Sequence, residues 1–215
     1  MSTKDLFNDS NGDIQWIADG IALLHGFVID TAIKLFEEIE HVAEAAPFRH
    51  MITPGGYKMS VAMTNCGPVG WTSDRNGYRY ERADPTSGYA WPPLPEAFLD
   101  IAARAAVSAG YESFAPDVCL INRYTPGARL SLHQDNDEAD VTAPIISVSL
   151  GLPATFLFGG ARRADKAKRI SLHHGDVVIW GGPARLFFHG VAPLKDGVHP
   201  MAGPFRYNLT LRKAR

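Results

Sequence analysis

From residue 116 onward the chain is cut into short segments that leave little choice of fold. "DVCLINRY", "ARLSLHQD", "PIISVSLGL", "ATFLFGG", "KRISLHHGD", "DVVIWGG", "RLFFHGV" and "FRYNLTLRK" are rich in β-branched and aromatic residues and separated by Gly, Pro or Asp. Eight such strands at this spacing imply a closed or nearly closed antiparallel double sheet, a jelly roll. Two helices precede them. "TAIKLFEEIEHVAEAA" sets Ile33, Phe36, Ile39 and Val42 on one face, with Pro47 as its stop, and "PEAFLDIAARAAVSAG" sets Phe98, Ile101 and Ala105 on one stripe, ending at Gly110. Between them lies a Gly-, Pro- and aromatic-rich stretch, read as hairpins and loops that recognise something from a rigid scaffold. The class is α+β, mainly β.

The chemistry starts in "LHQDND". His133 and Asp135 are two apart, and on a strand such residues share a face. Imidazole plus carboxylate suits Fe(II) when a second histidine completes the set. A calcium loop is excluded, because its pattern needs Asp or Asn at 139 and Gly at 140, where this chain has Ala139 and Asp140. His173, His174, His189 and His199 could each supply the third ligand. His173 and His174 precede a turn, whereas His189 lies among aromatics with Gly190 beside it to allow close backbone approach. The residues alone put His189 slightly ahead.

The last strand alternates Arg206, Asn208, Thr210 and Arg212 with Tyr207, Leu209 and Leu211. Two readings stay open: an edge strand with its cationic face in water, or a barrel-lining strand whose arginines hold a dicarboxylate in guanidinium forks.

The order "NRYTPGARLSLHQDND", "SVSLG", "FLFGG", "HGDVVIWGG", "RLFFHGV", "RYNLTLR", together with "TPGGYKMSVAMTNCG" and "GWTSDRNGYRY", resembles the AlkB family of iron(II) and 2-oxoglutarate dependent dioxygenases over nearly the whole chain. The resemblance implies a double-stranded β-helix core behind an N-terminal nucleotide-recognition lid. It implies one catalytic domain over 1–215, with helices and lid to about 115 and the core at about 116–213. His133, Asp135 and His189 would hold the iron. Arg206 would bind the C1 carboxylate side of 2-oxoglutarate and assist Asp135, and Arg212 would pair with its distal carboxylate. Asn122, Arg123, Tyr124 and Asn208 would complete that site. Trp71, Tyr78, Arg79, Tyr80, Met63, Asp137 and Arg163 would meet the substrate. With O2 as oxidant, the implied reaction removes alkyl groups from bases such as 1-methyladenine and 3-methylcytosine, releasing formaldehyde, succinate and carbon dioxide. The implied partner is alkylated single-stranded DNA, with double strands and RNA as further candidates, met by a monomer in the cytoplasm. Such bases are cationic, which suits an aromatic face and a carboxylate.

A net charge of −2 excludes coating nucleic acid by charge alone, although "ARRADKAKR" packs five cations into nine residues at a hairpin tip. No apolar run approaches the roughly 20 residues of a membrane span, and the polar N-terminus does not read as a signal peptide. Cys66 and Cys119 follow no ligand spacing and read as reduced buried thiols. Two competing readings are a dioxygenase of the same core acting on a protein or small molecule, and a binding module with a structural metal. A structural site should be closed by four protein ligands.

Overall fold

A computed structural model describes residues 14–215; the polar N-terminal stretch lies outside the described residues. The strands run β1 (Ile14–Ala18), β2 (Ile21–Leu24), β3 (Arg49–Ile52), β4 (Lys58–Cys66), β5 (Gly70–Asp74), β6 (Gly77–Glu81), β7 (Val118–Tyr124), β8 (Leu130–His133), β9 (Ile145–Gly151), β10 (Ala154–Phe158), β11 (Lys168–Leu172), β12 (Val177–Trp180), β13 (His189–Val191) and β14 (Arg206–Arg212). Helices α1 (Ala32–Ala45) and α2 (Glu96–Ser108) complete the set. All eight strands read after residue 116 are present.

They divide evenly between two antiparallel sheets. The larger has the order β1-β2-β12-β9-β14-β7-β4-β3, and the smaller β11-β10-β13-β8. From β7 to β14 the chain alternates between them in jelly-roll fashion, so the two inner faces enclose one interior. Apolar side chains fill part of it, among them Ile21, Leu120, Ile145, Phe156, Phe158 and Trp180. A second core lies outside the larger sheet, where Ile121, Ile146, Val148, Leu209 and Leu211 meet the two helices. This sheet is therefore covered on both faces, which is why β9 and β12 are buried along their whole length.

Helix α1 corrects one detail. Its buried stripe is Ala32, Leu35, Ile39 and Val42, while Ile33 is 67% exposed. At about 100° per residue, the nine positions from Ile33 to Val42 amount to half a turn, so those two cannot share a face. In α2 the stripe of Phe98, Ile101 and Ala105 is buried, and Gly110, at φ +83°, takes the left-handed conformation that ends it. The β1–β2 hairpin was not read from the sequence, although Asp19-Gly20 between two apolar runs is a recognised turn signal. Cys66 and Cys119 prove to be cross-strand partners on β4 and β7, buried and unbridged.

Candidate active site

His189 opens β13 and stands directly opposite His133, the last residue of β8. Gly190 makes this pairing possible: a Cβ there would lie 2.6 Å from the Leu130 carbonyl oxygen. Asp135 is past the end of β8, so the loop rather than strand alternation turns its carboxylate inward. Its Oδ1 is 3.7 Å from His133 Nε2, and its Oδ2 is 3.6 Å from His189 Nε2. Among the described residues, this is the group of His, Cys, Asp or Glu side chains whose ligand atoms converge, all within 4.8 Å of one another.

Each histidine uses Nδ1 on a backbone carbonyl, His133 on Ser131 at 2.9 Å and His189 on Phe187 at 3.0 Å. The hydrogen is thereby held on Nδ1, and the Nε2 lone pair faces the shared point. Although 39% of the His133 side chain is accessible, burial of the ring and then the neighbouring His189 bring its pKa down to about 4. Its ring is neutral at physiological pH and free to act as a ligand. Burial works against the Asp135 charge, but the Arg212 guanidinium beside it outweighs burial and holds the carboxyl well below the usual range. Two imidazoles and one carboxylate form the donor set that suits Fe(II) with further positions open. His174 and His199 are used elsewhere: His174 Nδ1 accepts from Gly151 N–H, and His199 Nδ1 from Met201 and Ala202 N–H.

The polar face of β14 looks into the interior. β14 lies between β9 and β7, so the edge-strand reading is wrong. Arg206 is 1% exposed, with its guanidinium over the Tyr124 ring and Nη2 donating to Ser149 Oγ at 3.1 Å. Its Nε and Nη1, and the Oδ1 of Asn122, have no hydrogen-bond partner among the described residues. Asn122 Nδ2 donates to Asn208 Oδ1, and Asn208 Nδ2 to Ser147 Oγ. Burial pulls the Arg206 pKa down and pushes the Tyr124 phenol up to about 12. A buried guanidinium with idle donors is costly unless an anion meets it. These residues fit a carboxylate ligand.

Two expectations meet a different geometry here. The arginine beside Asp135 is Arg212, not Arg206, with Nη2 2.8 Å from Oδ2; Arg206 keeps two idle donors, Nε and Nη1, and Arg212 one, its Nε. Arg123 alternates with Asn122 and Tyr124 and so points to the opposite face, where it stacks on Phe48 and Phe205.

The lid is the β5–β6 hairpin. Trp71 and Tyr78 stack at 5.6 Å with 14° between their planes. Trp71 Nε1 donates to Asp137 Oδ2 at 2.8 Å, and Tyr80 Oη donates to Glu138 Oε1 at 2.5 Å. Arg79 is committed to Asp74 and Glu81 within the hairpin. Met63 is 2% exposed in the inner core, opposite Asn122, so it lines rather than contacts from the surface. Arg163 is exposed over Phe188, next to His189. Sequence reasoning passed over Glu138, Arg185, Ser147 and Ser149. The serines had a signal, their alternation with Ile146, Val148 and Leu150 in β9. Glu138 stood in a run tested only as a calcium loop, and Arg185 had no signal at all.

A jelly roll carrying this donor set and a buried arginine defines a class, and the chain belongs to it: residues 20–212 match the 2OG-Fe(II) oxygenase superfamily. Within that class it is 58% identical to the alpha-ketoglutarate-dependent dioxygenase AlkB of Salmonella typhimurium, over 98% of this chain and 97% of the relative. The protein of that name from Escherichia coli is 56% identical, with the same coverage. A solved structure titled as that of OsALKBH1 superposes with a TM-score of 0.83 at 31% identity, covering 94% of this chain and all of the other.

Proposed function

We propose that this oxygenase removes alkyl groups oxidatively from ring nitrogens of nucleic-acid bases, such as 1-methyladenine and 3-methylcytosine. The observation that carries the reading is the joining of two chemistries by one loop: Asp135 stands with His133 and His189, and Asp137, two residues on, holds the stacked Trp71 of the lid. The proposed oxidising centre is thus two residues along one loop from a carboxylate that holds an aromatic face, the pair that a cationic methylated base would seek.

His133, Asp135 and His189 would hold the iron. Arg206 would take the distal carboxylate of 2-oxoglutarate in its fork, with Asn122, Tyr124 and Asn208 orienting the rest. When bound, iron(II), 2-oxoglutarate and O2 supply the oxidation of the alkyl carbon, with release of succinate and carbon dioxide and, from a methyl group, formaldehyde. The chain's own residues do the remaining work. Arg212 keeps Asp135 ionised and fixed. The apolar inner core around Phe156 and Trp180 keeps bulk water away from the centre. Trp71 and Tyr78 grip the base face, Asp137 meets its charge, and Arg163 meets a phosphate. Extrusion costs least from single strands or damaged pairs, so single-stranded DNA is the first substrate and RNA the second to try. The chain works as one catalytic domain and as a monomer. The unbridged thiols Cys66 and Cys119 agree with a reducing cytoplasm.

The test is a reaction assembled without air from protein, iron(II), 2-oxoglutarate and an oligonucleotide bearing one 1-methyladenine. Air is then admitted and the strand weighed by mass spectrometry, with His133→Ala as control. Loss of one methyl group, dependent on every component, is expected. Succinate formed without demethylation, on single-stranded DNA and on RNA, would sink the nucleic-acid reading and leave the oxygenase.

A further inference from the structure

The loop from Asp135 to Ala143 lies between β8 and β9 and has no regular secondary structure, yet it carries an iron-ligand candidate. It is held mainly by side chains. Arg185 follows a 3-10 turn at Gly182–Ala184 and is 3% exposed. Its Nη1 donates to the Asp135 carbonyl at 2.6 Å, its Nε to the Ala143 carbonyl at 2.9 Å, and its Nη2 to Glu138 Oε2 at 3.1 Å. One rigid fork therefore grips the loop at its start, middle and end.

Glu138 extends the grip. It is 6% exposed, and its other oxygen accepts the Tyr80 hydroxyl at 2.5 Å. Arg212 lies between the two carboxylates, 2.8 Å from Asp135 Oδ2 and 3.6 Å from Glu138 Oε1, and its Nη1 donates to Tyr80 Oη at 3.3 Å. Arg185, Arg212, Glu138 and Asp135 make a buried quartet with two charges of each sign. Such a group is tolerated only when every member is compensated.

We propose that Arg185 and Glu138 are positioning residues of the iron site, and that Tyr80 carries the state of the lid into it. Arg212 is shared. With Asp135 committed to a divalent metal, Arg212 would be held less by Asp135 and would lean further on Glu138 and Tyr80. A base that repositions the β5–β6 hairpin moves Tyr80 and alters the share of Arg212 left for Asp135. The coupling is reciprocal, as any linkage between two binding events must be. This inference rests on the His133, Asp135 and His189 centre of the reading above.

The test uses the full chain and Co(II) alone as probe, read by d–d absorption during titration. Arg185→Lys keeps the charge but loses the fork, and Glu138→Gln keeps the shape but loses the charge. Each should weaken Co(II) binding by about tenfold, the low end of what outer partners of metal ligands contribute, and shift the d–d bands. For Tyr80, a methylated oligonucleotide is added to the Co(II) protein: the wild-type bands should shift and those of Tyr80→Phe should shift much less. Wild-type affinity and spectrum in folded Glu138→Gln would overturn the positioning roles, and this variant decides the matter if Arg185→Lys does not fold. An unchanged oligonucleotide response in Tyr80→Phe would overturn the lid link. Demethylation by the wild type is measured alongside. Its absence, with the Co(II) effects present, would sink the dealkylase reading and leave this inference standing.

Discussion

At the scale of the residue, the proposed role of the buried Arg206 can be tested apart from metal binding. Its hydrogen bond and ring contact go to Ser149 and Tyr124, whereas Arg212 pairs with Asp135, one of the three candidate ligands. Replacing Arg206 by Lys keeps a cation and removes the two-pronged geometry. The KM for 2-oxoglutarate should rise about 10- to 100-fold, as loss of one charged hydrogen bond of about 1.5–3 kcal/mol requires. Co(II) affinity measured without 2-oxoglutarate should stay as in the wild type. A matching loss of metal affinity would place Arg206 in the wrong role. Gly190 makes the opposite case. Because a Cβ at 190 meets the Leu130 carbonyl oxygen at 2.6 Å, Gly190→Ala must push β13 away from β8 and part His189 from His133. Metal affinity should fall while KM for 2-oxoglutarate, measured at saturating iron, changes little.

At the scale of the element, the lid is tied to the frame by charge. Arg49 on β3 donates to Asp84, just beyond β6, at 2.6 Å, and lies over the Trp91 ring. Burial disfavours the Asp84 charge, but Arg49 and the Thr86 N–H prevail and its pKa is lowered. A carboxyl whose pKa is lower folded than unfolded stabilises the fold above its unfolded value, and that contribution is lost as pH falls toward the folded one. Thermal unfolding between pH 7 and pH 3 should therefore show wild type losing more stability than Asp84→Asn, by about 1 kcal/mol at most, since pH 3 lies only about one unit below the unfolded value. Equal losses would remove the pair from the account. The elements themselves differ in how legible they were. The eight core strands could be read because β-branched residues between Gly and Pro leave few alternatives. The α1 stripe was misplaced because Ile33 is as apolar as Leu35, and only the start of the helix at Ala32 decides which of them faces the sheet. The metal trio needed more than periodicity, since His189 is brought opposite His133 by pairing across 56 residues. Arg185 could not be found at all: its partners are two backbone carbonyls and Glu138, and nothing local marks them.

At the scale of the whole molecule, no described helix is long and apolar enough to cross a membrane, and a chain of net charge −2 must meet nucleic acid through a few placed cations. Several arginines are already spent. Arg79 pairs with Asp74 and Glu81, Arg162 with Asp165, and Arg185 and Arg212 are buried. Arg75, Arg82 and Arg163 are exposed and form no ion pair among the described residues, and Arg163 lies over Phe188, next to an iron-ligand candidate. If these three meet phosphates, the logarithm of oligonucleotide affinity should fall against that of salt with a slope of about −2 on a single strand. Arg163→Glu should weaken binding to all sequences alike and flatten the slope by about 1. Trp71→Ala should instead weaken the methylated strand more than the unmodified one and leave the slope unchanged, because stacking releases no counterions. Fluorescence anisotropy across a salt series separates the two. An unchanged slope in Arg163→Glu would take the phosphate contact away from this hairpin, and equal losses on both strands in Trp71→Ala would take base recognition away from the lid.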